Sequence, residues 1–238
     1  MTLGQARAIV GSLGFPSKMP GTSYGLPAAA CKIGSKLAKI PGTVCSICYA
    51  LSGGAKYQMP RAALGQRKRL AAITHSMWVE AMVFLLVHVH SGPIKVDLGI
   101  AGVRLLRKGG SRFRWNVPGF HRWHDSGDLQ SVEHLANICE VACRTPRIKH
   151  WVPTQEIGMV RAYIARGGVV PANLVIRLSS VSFDDGPRRA WPHTSAVYSG
   201  IAPLSPGHGC PAHDQHNECR GCRACWSPDV AHVLYKMH

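Results

Sequence analysis

The fold is decided by residues 120–180, which read FHRWHDSGDLQSVEHLANICEVACRTPRIKHWVPTQEIGMVRAYIARGGVVPANLVIRLSS. Three short apolar runs in this stretch predict β-strands at Phe120–Trp123, Ile148–Pro153 and Leu174–Leu178. Apolar residues at helical spacing occupy the two gaps between these runs. This strand–helix–strand–helix–strand order is typical of parallel strands joined by right-handed crossovers. We therefore expect an α/β fold whose core is a partial parallel β/α barrel or an open sheet.

The helices between these strands have recognisable ends. Ser131 is the N-cap candidate for the first helix, which should run to about Arg144. The second should run from about Ile157 to Arg166, where Gly167-Gly168 stops it. Before this core, Gly109–Ser111 predicts a turn.

A longer helical region is expected from Arg61 to about His90, with Pro60 in its first turn and a break near Thr74–Ser76. Its first part is basic and fits either contact with phosphates or a solvated helix face. The basic residues are Arg61, Arg67, Lys68 and Arg69.

The chain as a whole, residues 1–238, is expected to form a single domain, because 46% hydrophobic residues can bury one sizeable core. Residues 1–30 are rich in Gly, Pro and Ser and are expected to be an irregular lead-in. The α/β core should occupy residues 31–200. Residues 201–238 are expected to be a loop-rich segment pinned by cysteines.

Four cysteines near the end of the chain carry the strongest chemical pattern, C-P-x7-C-x2-C-x2-C. They are Cys210, Cys219, Cys222 and Cys225. Cysteines three residues apart can bind different irons of one cube, with a fourth ligand coming from a distance. Zinc more often takes two separated C-x2-C pairs, although His213 or His216 could complete a mixed zinc site. We expect a [4Fe-4S] cluster here, with zinc as the alternative.

A second group contains Cys31, Cys45 and Cys48. Three thiolates on a cube leave one iron open for an exogenous ligand, so these cysteines are candidate metal ligands. A second cluster, a zinc ion, or reduced thiols packed near the first cluster all remain open. Cys139 and Cys143 are four residues apart on one predicted helix face and are expected to be small core residues.

Polar residues follow each of the three predicted strands. Asp125, Ser126 and Asp128 follow the first strand, Thr154 follows the second, and Ser179-Ser180 end the third. Functional residues of parallel α/β folds collect where a strand meets the next helix. The candidate catalytic residues are therefore Asp125, Ser126, Asp128 and Thr154. The alternative is that these side chains only cap the following helices.

The charge balance favours anionic partners. There are 28 Lys and Arg residues against 12 acidic ones, a formal charge of +16. Such a surplus is typical of proteins that meet nucleic acid or phosphorylated small molecules, although it also serves solubility. The oligomeric state is left open by the sequence.

No targeting or spanning segment is recognisable. Met1–Pro20 lacks the features of a secretory signal, and the most apolar run, Met77–His90, is interrupted by Glu80 and is shorter than the roughly 18–20 residues that span a bilayer. We expect a cytoplasmic protein with no membrane partner. In that reducing compartment, nine cysteines favour metal ligation over disulfides.

Three separated motifs resemble the bacteriophage gene product eighty-eight family. They are Val44-Cys45-Ser46-Ile47-Cys48-Tyr49-Ala50, Phe120–Asp128, and Cys210-Pro211 with Cys219–Trp226. The resemblance runs from about residue 25 to the C-terminus. It implies a phage or prophage origin and the cytoplasm of the infected bacterium, but no settled reaction.

A more distant similarity to radical S-adenosylmethionine proteins rests on Cys45-x2-Cys48-Tyr49-Ala50 and the strand–helix alternation. The gap of thirteen residues before Cys45 departs from that family's usual spacing. The similarity implies S-adenosylmethionine as a cosubstrate. We therefore expect an iron–sulfur protein with one or two clusters, of the radical enzyme type and acting on a nucleotide or nucleic acid. The alternative is a non-catalytic iron–sulfur or zinc-stabilised protein that binds nucleic acid or senses redox state.

Overall fold

A computed structural model describes residues 1–52, 56–91, 96–97, 104–105, 119–188, 191–200 and 207–237. Its strands are β1 (Thr22–Tyr24), β2 (Val96–Asp97), β3 (Arg104–Leu105), β4 (Phe120–Trp123), β5 (Lys149–Thr154), β6 (Leu174–Ser179), β7 (Thr194–Tyr198), β8 (His208–Gly209) and β9 (His232–Lys236). Seven of them form one parallel sheet in the order β1-β4-β5-β6-β7-β9-β8. The sheet is open, because β1 and β8 lie at its two edges. β2 and β3 form a separate antiparallel pair.

The helices are α1 (Leu3–Val10), α2 (Gly34–Leu37), α3 (Pro60–Ala72), α4 (Trp78–His90), α5 (Val132–Arg144) and α6 (Ile157–Ala165). Short 3-10 turns cover Ala28–Ala30, Lys56–Gln58, Pro211–Gln215 and Ala224–Trp226. Among the described residues, none of the helices has the length and apolar character needed to cross a membrane.

The predicted core is confirmed. The three predicted strands are β4, β5 and β6, and all three pair in parallel. Ser131 caps α5 by accepting a hydrogen bond from the His134 backbone N–H at 3.0 Å. The expected helix break lies between α3 and α4. Gly167 follows α6 with φ +82°, a left-handed conformation that suits glycine. The turn predicted at Gly109–Ser111 lies outside the described residues.

Residues 1–30, which were expected to be a mostly irregular lead-in, contain α1, β1 and one 3-10 turn. Thr2 and Gln5 form a reciprocal capping box at the start of α1, with N–H···O distances of 2.7 and 3.2 Å. Ala6 and Val10 of α1 are fully buried in the main core. β1 then pairs with β4. Both elements are short, so tertiary packing rather than local pattern stabilises them.

The C-terminal segment is also more ordered than predicted. Residues 201–238 contribute β8 and β9 to the sheet, and β7 precedes them. β9 lies between β7 and β8. No α-helix separates these strands in the described residues, so the strand–helix alternation does not reveal them.

The two faces of the sheet carry different layers. Trp123, Val152 and Ile176 belong to a core with the helices, together with Trp78 and Leu135. Neighbouring strand positions point to the opposite face. There, Phe120, Trp151 and Val233 pack against Cys225 and Trp226. The cysteine-rich segment therefore covers the face of the sheet that the helices leave free.

Candidate metal centres

The C-terminal cysteines lie on this second face of the sheet. Cys210, Cys219 and Cys225 line one cavity of about 130 Å³. The rest of its lining comes from Met19, Arg122, Trp151, Ala212, His213, Tyr235 and Lys236. The fold thus brings three of the four thiols to one partly open cavity, and residues of β4, β5 and β9 line the rest of its wall.

These thiols are close enough to affect one another's protonation. Burial raises the pKa of Cys225 to about 12 and that of Cys219 to about 11. Burial also raises the pKa of Cys210, and Cys222 adds to this effect. Neighbouring thiolates would repel one another, so this group needs a cation or a metal to be deprotonated.

Cys222 and Cys225 have specific polar neighbours. The Sγ of Cys225 lies 3.1 Å from the Tyr235 hydroxyl. The Sγ of Cys222 lies 3.4 Å from Nε2 of His208. Of the histidines considered for a mixed site, His213 contacts Asp214 at 2.9 Å. His208 is therefore the histidine that the structure places against a thiol of this group.

Arg177 fixes the loop that carries Cys225. Its side chain is fully buried in β6 on the cysteine face of the sheet. The guanidinium donates, over 2.8–3.3 Å, to the carbonyl oxygens of Thr194, Ala224, Cys225, Ser227, Val230 and Ala231. Burial lowers the pKa of Arg177, while Tyr235 and Cys225 oppose this shift. A buried cation whose acceptors are neutral carbonyls favours an anion nearby.

The four C-terminal cysteines can be compared with the two metal groups that the sequence predicts for them, a [4Fe-4S] cluster and a zinc ion. Within the described residues, no three His, Cys, Asp or Glu side chains converge closely enough to hold a single metal ion. The cavity between the thiols is several times larger than the roughly 10–15 Å³ that one water molecule needs. The thiols that line this cavity are donors that either an iron–sulfur cluster or a zinc ion would use.

The N-terminal cysteines form a second group. A methyl group at the Cβ position of Gly34 would lie 3.7 Å from the Sγ of Cys31 and 3.6 Å from that of Cys45. Burial raises the pKa of Cys31, and Asp128, Cys48 and Cys45 raise it further. Burial and Cys48 likewise raise the pKa of Cys45 to about 11. The structure therefore brings together the three thiols that the sequence singled out.

This second group lies over the carboxyl ends of the central strands. The backbone N–H of Ile33 donates to Glu156 Oε1 at 2.7 Å, just after β5. The backbone N–H of Val44 donates to the Val181 carbonyl at 2.9 Å, just after β6. In parallel α/β folds this edge is where ligands bind.

Three of the four predicted catalytic residues hold the scaffold together. Asp128 is buried and accepts from Thr154 Oγ1 at 2.6 Å and from the Gln155 N–H at 2.8 Å. Burial raises the pKa of Asp128 to about 7 although these donors oppose the shift. Ser126 donates to the Leu26 carbonyl at 2.5 Å and accepts from Gln66 at 3.0 Å. Asp128, Thr154 and Ser126 thus tie strand ends together beneath the thiols.

Asp125 differs from these three residues. Its carbonyl oxygen accepts from the Tyr49 hydroxyl at 2.5 Å. Its Oδ1 is buried and has no hydrogen-bond partner in the described part of the chain. A buried, unused carboxylate acceptor is costly unless a ligand or water satisfies it. Asp125 therefore offers a buried acceptor to a ligand at this edge of the sheet, where His124 and Ser180 also have buried polar atoms without a partner among the described residues.

Arg122 connects the two cysteine groups. One of its Nη atoms lies 3.4 Å from the hydroxyl of Tyr49, which follows Cys48. Its guanidinium carbon lies 4.6 Å from the centre of the Trp151 ring, and the side chain lines the C-terminal cavity. Sequence reasoning missed both Arg122 and Arg177. An arginine in the middle of an apolar strand is the signal that marks both.

The two remaining cysteines lie on α5. Cys139 is 3% exposed and is a core residue, as predicted. Cys143 is exposed, so its predicted place in the core is wrong. Four residues along a helix advance slightly more than one turn, and Cys143 lies near the C-terminal end of α5, where the core no longer covers it.

Comparison with known proteins gives one match. The family model described as gene product 88 matches residues 2–228. The chain belongs to the gene product 88 family. The match spans both cysteine groups and the strand ends between them, so these features occur within one family unit. No curated protein and no solved structure matches the chain.

Proposed function

We propose that this member of the gene product 88 family is an iron–sulfur protein whose C-terminal cysteines bind a [4Fe-4S] cluster. The ligands are Cys210, Cys219, Cys222 and Cys225. The observation that carries the proposal is the cavity that Cys210, Cys219 and Cys225 share. The spacing of the cysteines in sequence supports the same ligand set.

The charges around this cavity support an anionic group. Arg122 and Lys236 line it, and Arg177 is buried behind the loop that carries Cys225. Thiolate ligands make such a cluster negative, and nearby cations and hydrogen bonds tune its reduction potential. These residues would hold the cluster, balance its charge and exclude water from it.

The second part of the proposal concerns Cys31, Cys45 and Cys48, which would bind a further cluster with one open iron. Such a cluster would supply the electron needed to cleave S-adenosylmethionine reductively. Support comes from the position of the three thiols at the carboxyl edge of the sheet, beside Asp128 and Glu156. The unused Oδ1 of Asp125 would accept a hydrogen bond from a bound ligand. The protein would then be a radical-type enzyme.

The substrate class follows from charge and origin. A formal charge of +16 favours a nucleotide, a nucleic acid or another phosphorylated molecule. The family's designation as a numbered gene product suggests a bacteriophage origin. The proposed site of action is the cytoplasm of the infected bacterium.

Iron counting under anaerobic conditions tests the proposal. Two clusters predict about eight irons per chain and absorbance near roughly 400 nm. The enzyme further predicts a spectral change when S-adenosylmethionine is added. About four irons per chain without such a spectral change would contradict the radical-enzyme part of the proposal and support the C-terminal cluster. A colourless protein that contains zinc would reject both parts.

Single substitutions assign the irons to their ligands. Cys48→Ser should remove the irons of the N-terminal group and leave the remaining spectrum intact. Cys143→Ser is the matched control, because Cys143 is exposed and lies on α5, outside both groups. Equal iron content in Cys48→Ser and Cys143→Ser would contradict a role for Cys48 as a ligand.

A non-catalytic protein is the second candidate, and one observation favours it. The C-terminal segment packs across a whole face of the sheet through Trp226, Cys225 and Val233. A cluster there would supply folding free energy to a loop-rich segment, as structural metals do. Such a protein could sense redox state or bind nucleic acid without a reaction. One cluster only, with no response to S-adenosylmethionine, would favour this candidate.

A further inference from the structure

The first third of the chain has an unusual charge distribution. No acidic residue precedes Glu80, whereas ten lysines and arginines lie in residues 1–79. Uncompensated positive charge over such a length is the electrostatic footprint of a polyanion partner. The question is whether these cations share one surface.

Hydrogen bonds attach residues 31–52 and 56–69, which we call the edge segment, to the carboxyl ends of three strands. The backbone N–H groups of Ile33 and Val44 donate to Glu156 after β5 and to Val181 after β6. The Tyr49 hydroxyl donates to the Asp125 carbonyl after β4. Gln66 donates to the Ser126 hydroxyl nearby. The edge segment therefore covers this edge of the sheet and includes the N-terminal thiols.

The edge segment is also connected within itself. Thr43 Oγ1 donates to the Leu37 carbonyl at 2.7 Å, which joins the two ends of the loop between Cys31 and Cys45. Tyr49 and Tyr57 have ring centres 5.4 Å apart. These contacts link neighbouring parts of the edge segment to one another.

The edge segment carries both exposed cations and exposed apolar side chains. The exposed cations are Lys32, Lys36, Lys39, Arg61, Arg67 and Lys68. Six large hydrophobic residues in the same segment are 39–59% exposed, among them Tyr49 at 53% and Ile47 at 53%. The acidic groups beneath, Asp128 and Glu156, are buried, so they add little to the surface.

The geometry points to a binding surface for single-stranded nucleic acid. Its phosphates would contact the lysines and arginines, and its bases would stack on Tyr49 and the neighbouring apolar side chains. A duplex hides the faces of its bases and would use only the cations. Tyr49 follows Cys48 directly, so a stacked base would lie beside the N-terminal thiols. That the bound single strand is also the substrate of a reaction rests on the proposed function. Its binding to this surface does not require metal.

Binding can be measured with the full-length protein and a fluorescently labelled single strand of about 20 nucleotides, as DNA and as RNA. We expect at least one of them to bind about tenfold or more tightly than the matching duplex. Affinity should fall steeply between 50 and 200 mM salt, because about 0.7 counterions per phosphate contact are released. Equal affinity for single strand and duplex, or no binding, would overturn the inference.

Charge reversal tests the location of the surface. The double variant K36E/K39E should weaken binding at least tenfold and lower the salt slope by about 1.4, which is two phosphate contacts. The control R147E/K149E reverses two exposed charges at the amino end of β5, which is the end of the strands opposite to the edge segment. If the two double variants lose affinity equally, binding reflects nonspecific attraction to the net charge and not a surface at the edge segment. Equal competition by polyglutamate would mean that any polyanion binds.

Tyr49 tests the stacking. Tyr49→Leu should weaken binding about tenfold, because base–aromatic stacking is lost. Tyr49→Phe keeps the ring, removes the bond to Asp125 and should bind normally. Unchanged affinity in Tyr49→Leu would contradict stacking on this residue. A protein that contains no iron but binds single strands would contradict the proposed function and leave this inference intact. A protein that contains iron but binds no single strand would contradict this inference and leave the proposed function intact.

Discussion

At the scale of single residues, the unusual feature is a charge placed inside the protein. Arg177 is fully buried, and six backbone carbonyl oxygens accept from its guanidinium. Four of these carbonyls belong to the loop of residues 224–230. Arg177 therefore fixes the path of the backbone around Cys225, and the proposed cluster would supply the missing negative charge.

Arg177→Met should destabilise the protein by about 3 kcal/mol or more, because buried carbonyl groups would lose their donors. It should also lower the iron content at the C-terminal cysteines. Urea denaturation and iron analysis measure the two effects. Arg144→Met is the control, since Arg144 makes an exposed salt bridge to Glu80 and should cost less than about 1 kcal/mol. Similar effects of both substitutions would argue against the role of Arg177.

Gly34→Ala should disturb the N-terminal thiols. The added methyl group would lie 3.2 Å from Cys31 Cβ, which is closer than ordinary contact, and near the Sγ atoms of Cys31 and Cys45. We expect loss of any metal bound by this group, measured by anaerobic iron analysis, with the C-terminal group unaffected. Gly65→Ala is the control, because its Cβ position in α3 is open. Unchanged iron in Gly34→Ala would show that the thiols tolerate displacement.

At the scale of elements, hydrogen bonds between histidines and threonines join α4 and α5 to the sheet. The Thr22 hydroxyl of β1 lies 3.0 Å from His90 of α4 and 2.8 Å from His121 of β4. His150 of β5 lies 2.8 Å from the Thr145 hydroxyl at the end of α5. Burial lowers the pKa of these three histidines. Packing of the elements therefore depends on neutral imidazole rings.

Stability should decrease as the pH falls below about 6.5. Six histidines have lowered pKa values. Five are buried, namely His121, His124, His134 (about 4), His150 (about 3) and His232, and His90 (about 4) is half-buried. They are neutral when folded but gain protons when unfolded, so each lowers the free energy of unfolding as the pH falls below the ordinary pKa of about 6.5. Asp128, with its pKa raised to about 7, opposes this by about 2 kcal/mol.

We expect a net loss of stability between pH 7.5 and pH 5.5, because several histidines act against the single carboxyl group of Asp128. Urea denaturation at several pH values measures it. His88→Asn should leave the pH dependence unchanged, because His88 is exposed at the end of α4. A flat stability profile over this range would contradict the burial of neutral histidines.

At the scale of the whole molecule, one sheet separates two layers of buried side chains. Helices cover one face with apolar side chains, and the cysteine-rich segment covers the other. Trp226 anchors the second layer by donating from Nε1 to the His121 carbonyl at 2.9 Å. The C-terminal segment therefore closes the core of the whole domain.

Cys222→Ser should affect the molecule beyond residue 222 if the cluster stabilises this layer. We expect faster hydrogen exchange in residues 207–237, including β9, while α5 stays protected. Cys143→Ser again serves as the control. Full protection of β9 in a folded, iron-depleted Cys222→Ser protein would show that packing alone stabilises the segment.

The core elements of residues 120–180 could be predicted because their apolar periodicity is local. β7 (TSAVY) and β9 (HVLYK) could not, since no α-helix precedes either strand in the described residues after β6, so the strand–helix alternation does not reveal them. β1 has only three residues, TSY, and pairs with β4 nearly a hundred residues later. Both cysteine groups were predicted from spacing, because ligand geometry limits how far apart neighbouring ligands can be.

The sequence by itself determined the α/β alternation, the two sets of thiols and the polar strand ends, because each is written in short-range spacing. Only the tertiary structure decided what these residues do. It placed three of the strand-end residues, Ser126, Asp128 and Thr154, in the scaffold and left an acceptor of Asp125 unused. It also placed Arg177 behind one thiol group and Arg122 between the two. The physical reason is that strand order and the side of the sheet to which a residue points arise from contacts between distant segments.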